Sequence, residues 1–261
     1  MKRFISLEKL VFIGMAAAGL CAAVSIPPAP LGPPGWMGRA LAAGYSSGQG
    51  QGVANLTPEQ IEKVHSRLFR KGPTGEITNM LSRTTGDVHV PCVVPVWQRI
   101  KVPFVDELGM LASRSDLIVL AKAEAGTTHM NADRDFLYTD WNFVVEEVLK
   151  DNPKASVQPG ATILVTRPGG KLQINGRMVH AACADFEDFS SRQEYLLYLG
   201  FVPETGAYAS GGSAAFAISP PKRLDSFHYR ESEASDKDAL LKAAKEGVAL
   251  SRTIPHSGGW Q

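Results

Sequence analysis

The run FLYTDWNFVVEEVLK, residues 136–150, decides how the rest of the chain is read. In an extended backbone Leu137, Trp141, Phe143, Val145 and Leu149 share one side, while Tyr138, Asp140, Asn142 and Glu146 share the other. A period of two with one apolar side is a strand laid against a core. At about 3.3 Å per residue such a strand would be roughly 50 Å long, well beyond the usual, so it must bend or bulge around a curved sheet. Curvature of that kind favours a barrel.

Strand signals continue on both sides of this run. Residues 117–120, Leu-Ile-Val-Leu, are apolar and β-rich, and a loop is expected over 126–134. Asp151-Asn152-Pro153 and Pro159-Gly160 mark turns, residues 163–165 form a strand, and Pro168-Gly169-Gly170 closes it. Residues 172–174 and 177–179 flank Asn175-Gly176, the pair best suited to a two-residue type I′ hairpin because both positions need positive φ. Residues 195–202 make another apolar strand, and 216–218 close the set after the Gly211-Gly212 turn. Strand signals at this spacing predict a mainly β fold, a small five- or six-stranded OB-like barrel with short flanking helices, with a sandwich as the alternative.

Certain segments carry a resemblance. Ser115-Asp116-Leu117-Ile118-Val119, Tyr138-Thr139-Asp140, Val144-Val145-Glu146-Glu147-Val148-Leu149-Lys150, Pro159-Gly160 and Glu194-Tyr195-Leu196-Leu197-Tyr198-Leu199 resemble an OB-like domain of uncharacterised exported bacterial proteins. The strand rhythm is similar to that of the netrin-like and metalloprotease-inhibitor barrels, and it covers roughly residues 112–220. The shared motifs are structural, so the resemblance implies a fold and no activity. Ala121 stands where a glycine is expected, and the chain lacks the mature amino-terminal cysteine with which netrin-like inhibitors reach a protease metal.

The amino terminus reads as an export signal. Lys2, Arg3 and Lys9 precede an apolar run over residues 10–26, the charged and hydrophobic regions of a secretory leader. Small-residue cleavage sites occur near Cys21-Ala22-Ala23 and at Ala40-Leu41-Ala42-Ala43, of which the second is preferred. An uncleaved anchor is the alternative, since a helix needs roughly 17–25 apolar residues to span a bilayer. Leu20 before Cys21 argues against lipidation. The expected partition is a signal over 1–43, a flexible linker over 44–56, a helical and irregular flank over 57–112, the barrel over 113–220, and a linker with a carboxy-terminal helix over 221–261.

Within the flank, Thr57-Pro58-Glu59-Gln60 carries the capping pattern of a helix with Ile61, Val64, Leu68 and Phe69 on one face. His65 beside that stripe reads as a partly exposed packing residue. Residues 71–103, rich in proline and glycine, are expected to be irregular, with a second short helix over 105–112. At the other end Ser235 is the expected cap of a helix over 236–250, packed through Leu240, Leu241, Ala244 and Val248.

Composition narrows the function. The chain has 27 basic and 26 acidic residues, of which the first 43 positions hold four and one, leaving 23 and 25. A mature chain that is slightly acidic argues against nucleic acid as partner. No phosphate loop or dinucleotide fingerprint is present, and Arg167-Pro168-Gly169-Gly170-Lys171 lacks phosphate-cradling spacing. Glu146 and Glu147 are neighbours on a strand and face opposite ways, so they make no acid/base pair. Asp185, Glu187 and Asp188 with Phe186 and Phe189 read as a solvated acidic loop, and Tyr138, Trp141, Tyr195 and Tyr198 are weighed as a stacking surface against core packing.

Two cysteines lie outside the signal, Cys92 and Cys183, and an exported pair is expected to form a disulfide. Each follows a histidine by three, as His89-Val90-Pro91-Cys92 and His180-Ala181-Ala182-Cys183, so a Cys2His2 centre for zinc or copper is the alternative. Residues three apart on a strand face opposite ways, so that centre needs a turn at both places. The expectation is an exported, periplasmic or secreted, non-catalytic envelope protein without a cofactor, whose barrel binds an unidentified protein or small ligand. The alternative is a metal-binding or redox module on the two His-x-x-Cys pairs. Membrane contact is expected only if the amino-terminal segment stays uncleaved.

Overall fold

The computed structural model describes residues 56–68, 75–92, 102–183, 187–210, 215–219, 221–224 and 234–253, with the backbone alone at 91, 92, 182, 183, 222 and 223. The signal and linker expected over 1–55 lie outside the described residues, as does Phe69. In chain order the elements are α1 (Pro58–Leu68), α2 (Glu76–Arg83), β1 (Val88–Cys92), α3 (Phe104–Arg114), β2 (Leu117–Met130), β3 (Leu137–Lys150), β4 (Thr162–Pro168) and β5 (Gly170–Ile174). Then come β6 (Arg177–Cys183), β7 (Glu194–Val202), β8 (Ala207–Ala209), β9 (Ala215–Ile218), β10 (Pro221–Arg223) and α4 (Lys237–Ser251). No described helix is long and apolar enough to cross a membrane.

The protein is mainly β, in two sheets. In the larger, hydrogen bonding runs in a ring: β2 to β3 and β3 to β4 antiparallel, β4 to β8 parallel, then β8 to β7 and β7 back to β2 antiparallel. One edge of β7 is shared, residues 195–197 bonding β9 and 200–202 bonding β8. The expected bending of the long strand appears as register shifts between β2 and β3 at Ile118/Val119, Leu120/Ala121 and Ala123/Gly126.

Burial follows the strand period. Leu117, Val119, Ala121, Phe143, Val145, Ile163, Val165, Tyr195, Leu197 and Leu199 form one core cluster, with Trp141 packed against it. The opposite faces of β2 and β7, Ile118, Leu120, Leu196 and Tyr198, pack on Leu108 and Ala112 of α3 and Leu240, Leu241, Ala244 and Val248 of α4. Both faces of β2 and β7 are thus covered, which explains why LIVLA and YLLYLG are continuous apolar runs. Leu149 belongs with this second cluster and Leu137 with a third, so two residues expected on the face of Trp141 are diverted elsewhere.

The smaller sheet has the order β1-β6-β5. Asn175 (φ 51°) and Gly176 (φ 77°) form the expected hairpin between β5 and β6. That hairpin stands outside the ring, because Gly169 and Gly170, with φ of 94° and 135°, turn the chain away at the end of β4. Its buried face, Val179 and Ala181, packs with Ile77, Val88, Val90 and Leu137.

Several expectations are corrected. The loop expected over 126–134 is strand through Met130, followed by a tight turn in which Asn131 Oδ1 accepts from the amides of Asp135 and Phe136, each at 3.0 Å. The irregular stretch 71–103 contains α2 and β1. Pro91 hid β1, since proline is confined to sheet edges and β1 is an edge strand. The linker expected from 221 begins with β10. The cap of α4 is Asp236, whose carboxylate accepts from the Ala239 amide at 2.9 Å, and Ser235 donates to that carboxylate. At α1 the capping box is as expected: the Thr57 amide donates to Gln60 Oε1 at 2.8 Å and the Gln60 amide to Thr57 Oγ1 at 3.3 Å.

Candidate functional site

Placement of β1 begins with Arg177 at the start of β6. Its guanidinium donates to the carbonyl oxygens of Leu81 and Gly86 and to Thr84 Oγ1, gathering the end of α2 and the following turn. Next to it the Met178 amide donates to Asp87 Oδ1 at 3.2 Å. These contacts set β1 parallel to β6 in one continuous register: Val88 opposite Val179, His89 opposite His180, Cys92 opposite Cys183.

That register brings the two His-x-x-Cys motifs side by side, like residue against like. His89 is exposed and His180 half-buried, and their rings meet edge to face with centroids 5.6 Å apart. Val88 and Val90, either side of His89, are buried, as are Val179 and Ala181 either side of His180. The motifs are strands without a register shift, so neither has the turn that a shared four-ligand centre requires. The side chains of Cys92 and Cys183, on which the disulfide and metal expectations fall, lie outside the described part. Among the described side chains, no group of three or more His, Cys, Asp or Glu is gathered around a common point.

A second polar centre has no local sequence signal. His65 of α1 is fully buried. Its Nδ1 lies 3.0 and 3.1 Å from the two carboxylate oxygens of Asp140 on β3, and its Nε2 lies 3.0 Å from Thr205 Oγ1 in the turn between β7 and β8. His129 Nε2 is 3.6 Å from the same carboxylate, and its ring stacks on Tyr138 at 5.2 Å. Tyr138 donates to the Glu62 carbonyl oxygen of α1 at 3.3 Å. Burial first, then the charges of Asp140 and Glu62, push the Tyr138 hydroxyl far above its ordinary value, so it stays a neutral donor. The order carboxylate, imidazole, hydroxyl is that of a nucleophile relay, but Thr205 is only 8% exposed and no open hydroxyl is offered to a substrate. The arrangement holds α1 to the ring. His65 is therefore a buried hydrogen-bonded anchor, where the sequence suggested a partly exposed packing residue.

The remaining candidates resolve into core structure. Arg167 is buried on β4, donating from Nη1 to Ser210 Oγ at 3.0 Å with its guanidinium 4.5 Å above the Phe189 ring. Phe189 belongs to the core cluster, Glu187 and Asp188 are exposed, and residues 184–186 lie outside the described part. Tyr138, Tyr195 and Tyr198 are all buried and Trp141 packs on the core, so these four present no stacking surface. Comparison of the chain with family models and with curated proteins finds no match.

Proposed function

We propose that this chain is an exported, non-catalytic envelope protein whose ring of strands is an OB-like barrel and whose smaller sheet is stapled, β1 to β6, by a Cys92–Cys183 disulfide. The observation that carries the reading is the parallel register setting Cys92 opposite Cys183. Neighbouring strands lie about 4.8 Å apart, which falls inside the roughly 4.4–6.8 Å between Cα atoms that a disulfide spans. A bridge there belongs to an oxidising compartment, in agreement with the leader pattern at the amino terminus.

The barrel reading rests on five strands closing in the order β2-β3-β4-β8-β7, one parallel contact among antiparallel ones. OB barrels bind on the face of their second and third strands and on the loops between strands one and two and between four and five. Those positions correspond to β3, β4, the turn at 131–136 and the turn at 203–206, and we assign the ligand surface there, beside α1.

The test has two arms on the full chain expressed in its envelope. Thiols are alkylated before unfolding and the intact mass is measured; the expected species is two hydrogens lighter than the reduced chain and unalkylated. A photoreactive residue at the exposed Asn142 of β3 should then yield a discrete adduct in the envelope fraction. Two alkylated cysteines, or a chain confined to the cytoplasm, would overturn the proposal.

The second reading, a metal-binding or redox module, draws on the close approach of His89 and His180. Strand alternation favours separate histidine and cysteine pairs over one Cys2His2 centre for zinc or copper.

A further inference from the structure

We infer that the outer face of the smaller sheet is a copper(I) site with His89, His180 and Met178 as its ligands. The inference rests on the register of β1 and β6 and stands apart from the OB-like reading.

Three observations meet on one face. The imidazoles of His89 and His180 stand on adjacent strands at the same register position, with centroids 5.6 Å apart. A metal–nitrogen bond of about 2.0–2.1 Å puts an ion roughly 3.2 Å from each ring centroid, so one ion bridges two imidazoles up to roughly 6.4 Å apart. The observed separation lies within that limit and corresponds to a bent arrangement, open on one side for a third ligand.

Met178 supplies that third ligand. It precedes His180 by two on β6 and so shares its face, while Val179 between them is buried. At 39% exposure it is one of two large hydrophobic side chains among the described residues that stand in solvent. Exposure of a methionine wastes its apolar surface, but a thioether reaching along the strand can meet an ion held by the neighbouring imidazole. Its backbone is fixed by the hydrogen bond to Asp87 Oδ1.

The donor set selects the metal. Thioether and imidazole together suit copper(I), whereas zinc prefers thiolate, imidazole and carboxylate. Lys171 pairs with His180 from the other side and is exposed, placing a positive charge beside the site. That charge repels a divalent ion more than a monovalent one.

The test is a titration of copper(I), kept reduced with ascorbate, into the full chain against bicinchoninate. One copper per chain is expected. His89→Ala and His180→Ala should each weaken binding at least tenfold, and Met178→Leu should weaken copper(I) binding severalfold while leaving zinc(II) binding unchanged. Far-ultraviolet circular dichroism of each variant checks that the sheet is retained, and all three positions have solvent-accessible side chains. Unchanged copper(I) affinity in either histidine variant would overturn the site. Loss of binding confined to a Cys92→Ser/Cys183→Ser double variant would move the ligands to the thiols and also overturn it. Equal effects of Met178→Leu on copper(I) and zinc(II) would show that the thioether is no ligand and overturn the three-ligand site.

Discussion

His65 Nδ1 and Asp140 Oδ1 lie 3.0 Å apart, although 75 positions separate the two residues in the chain. The contact joins the second half of α1 to the outer face of β3, and the Thr205 and Tyr138 contacts surround it. An eleven-residue helix is marginal by itself, because nucleation costs more than a few turns return. Leu68, the last described residue of its apolar stripe, is 38% exposed. The attachment of α1 therefore leans on its polar anchor more than on apolar burial.

Removing either member of that pair should loosen α1. His65→Ala leaves a mostly buried carboxylate with one partner fewer, a loss of about 1–3 kcal/mol. Urea unfolding of His65→Ala, Asp140→Ala and the double variant should give a coupling energy of similar size, and amide exchange should rise first in α1. Additive losses in the double variant would show that the two side chains do not act as a pair.

Gly170 marks where the chain leaves the ring for the smaller sheet. Its φ is +135°, and a Cβ there would run into Thr139 Oγ1 and stand 2.7 Å from Thr128 Oγ1. Those hydroxyls bond each other at 2.9 Å, and Thr139 also donates to the Gly169 carbonyl oxygen at 2.8 Å. Gly170→Ala should cost about 2–4 kcal/mol, combining backbone strain with overpacking. Gly160→Ala is the matched control, with φ of +85° and open space around the added atom. It should cost clearly less in the same urea measurement.

How much of this the chain announces depends on whether the signal is local. Asn175-Gly176 and the capping box at Thr57 and Gln60 are legible because each involves residues a few positions apart. The alternation of Trp141, Phe143 and Val145 is legible for the same reason. The strand β1 is not, because its Pro91 reads as a breaker until the strand is known to be an edge. His65 fails differently: nothing near it marks a buried partner, and Asp140 and Thr205 reach it only through the closure of β3 and β7. The cysteine and histidine motifs were visible, but their facing arrangement comes from a parallel pairing across 91 positions that Arg177 fixes from the side.

Acid should weaken the cap of α4. The Ala239 amide, then the Ser235 hydroxyl, hold the Asp236 carboxyl below its ordinary range. A carboxyl lowered in the folded state contributes stability above its unfolded value and loses it as the pH falls through the folded one. The contribution is therefore complete at neutral pH and fades as the pH falls below about 4, the unfolded aspartate value, toward the lower folded one. Asp236→Asn keeps an acceptor at the cap without titrating there. The wild type should lose stability relative to Asp236→Asn between pH 5 and pH 2, read from urea midpoints across that range, all these values being approximate. A constant difference would show that the cap charge is not linked to folding.

Reduction gives the sharpest test of the cysteine pairing. A bridge between Cys92 and Cys183 acts chiefly on the unfolded chain, closing a loop of roughly 90 residues worth about 4–5 kcal/mol in the chain-entropy account. In the folded protein the strands are already adjacent through five paired positions, so little native structure changes when the bond is cut. Reductant should thus lower the urea midpoint by a large amount while leaving the far-ultraviolet spectrum at zero denaturant unchanged. The Cys92→Ser/Cys183→Ser double variant should match the reduced wild type and respond to reductant no further. If the oxidised and reduced wild type unfold at the same midpoint, the two cysteines do not bridge, and the register that pairs them serves packing alone.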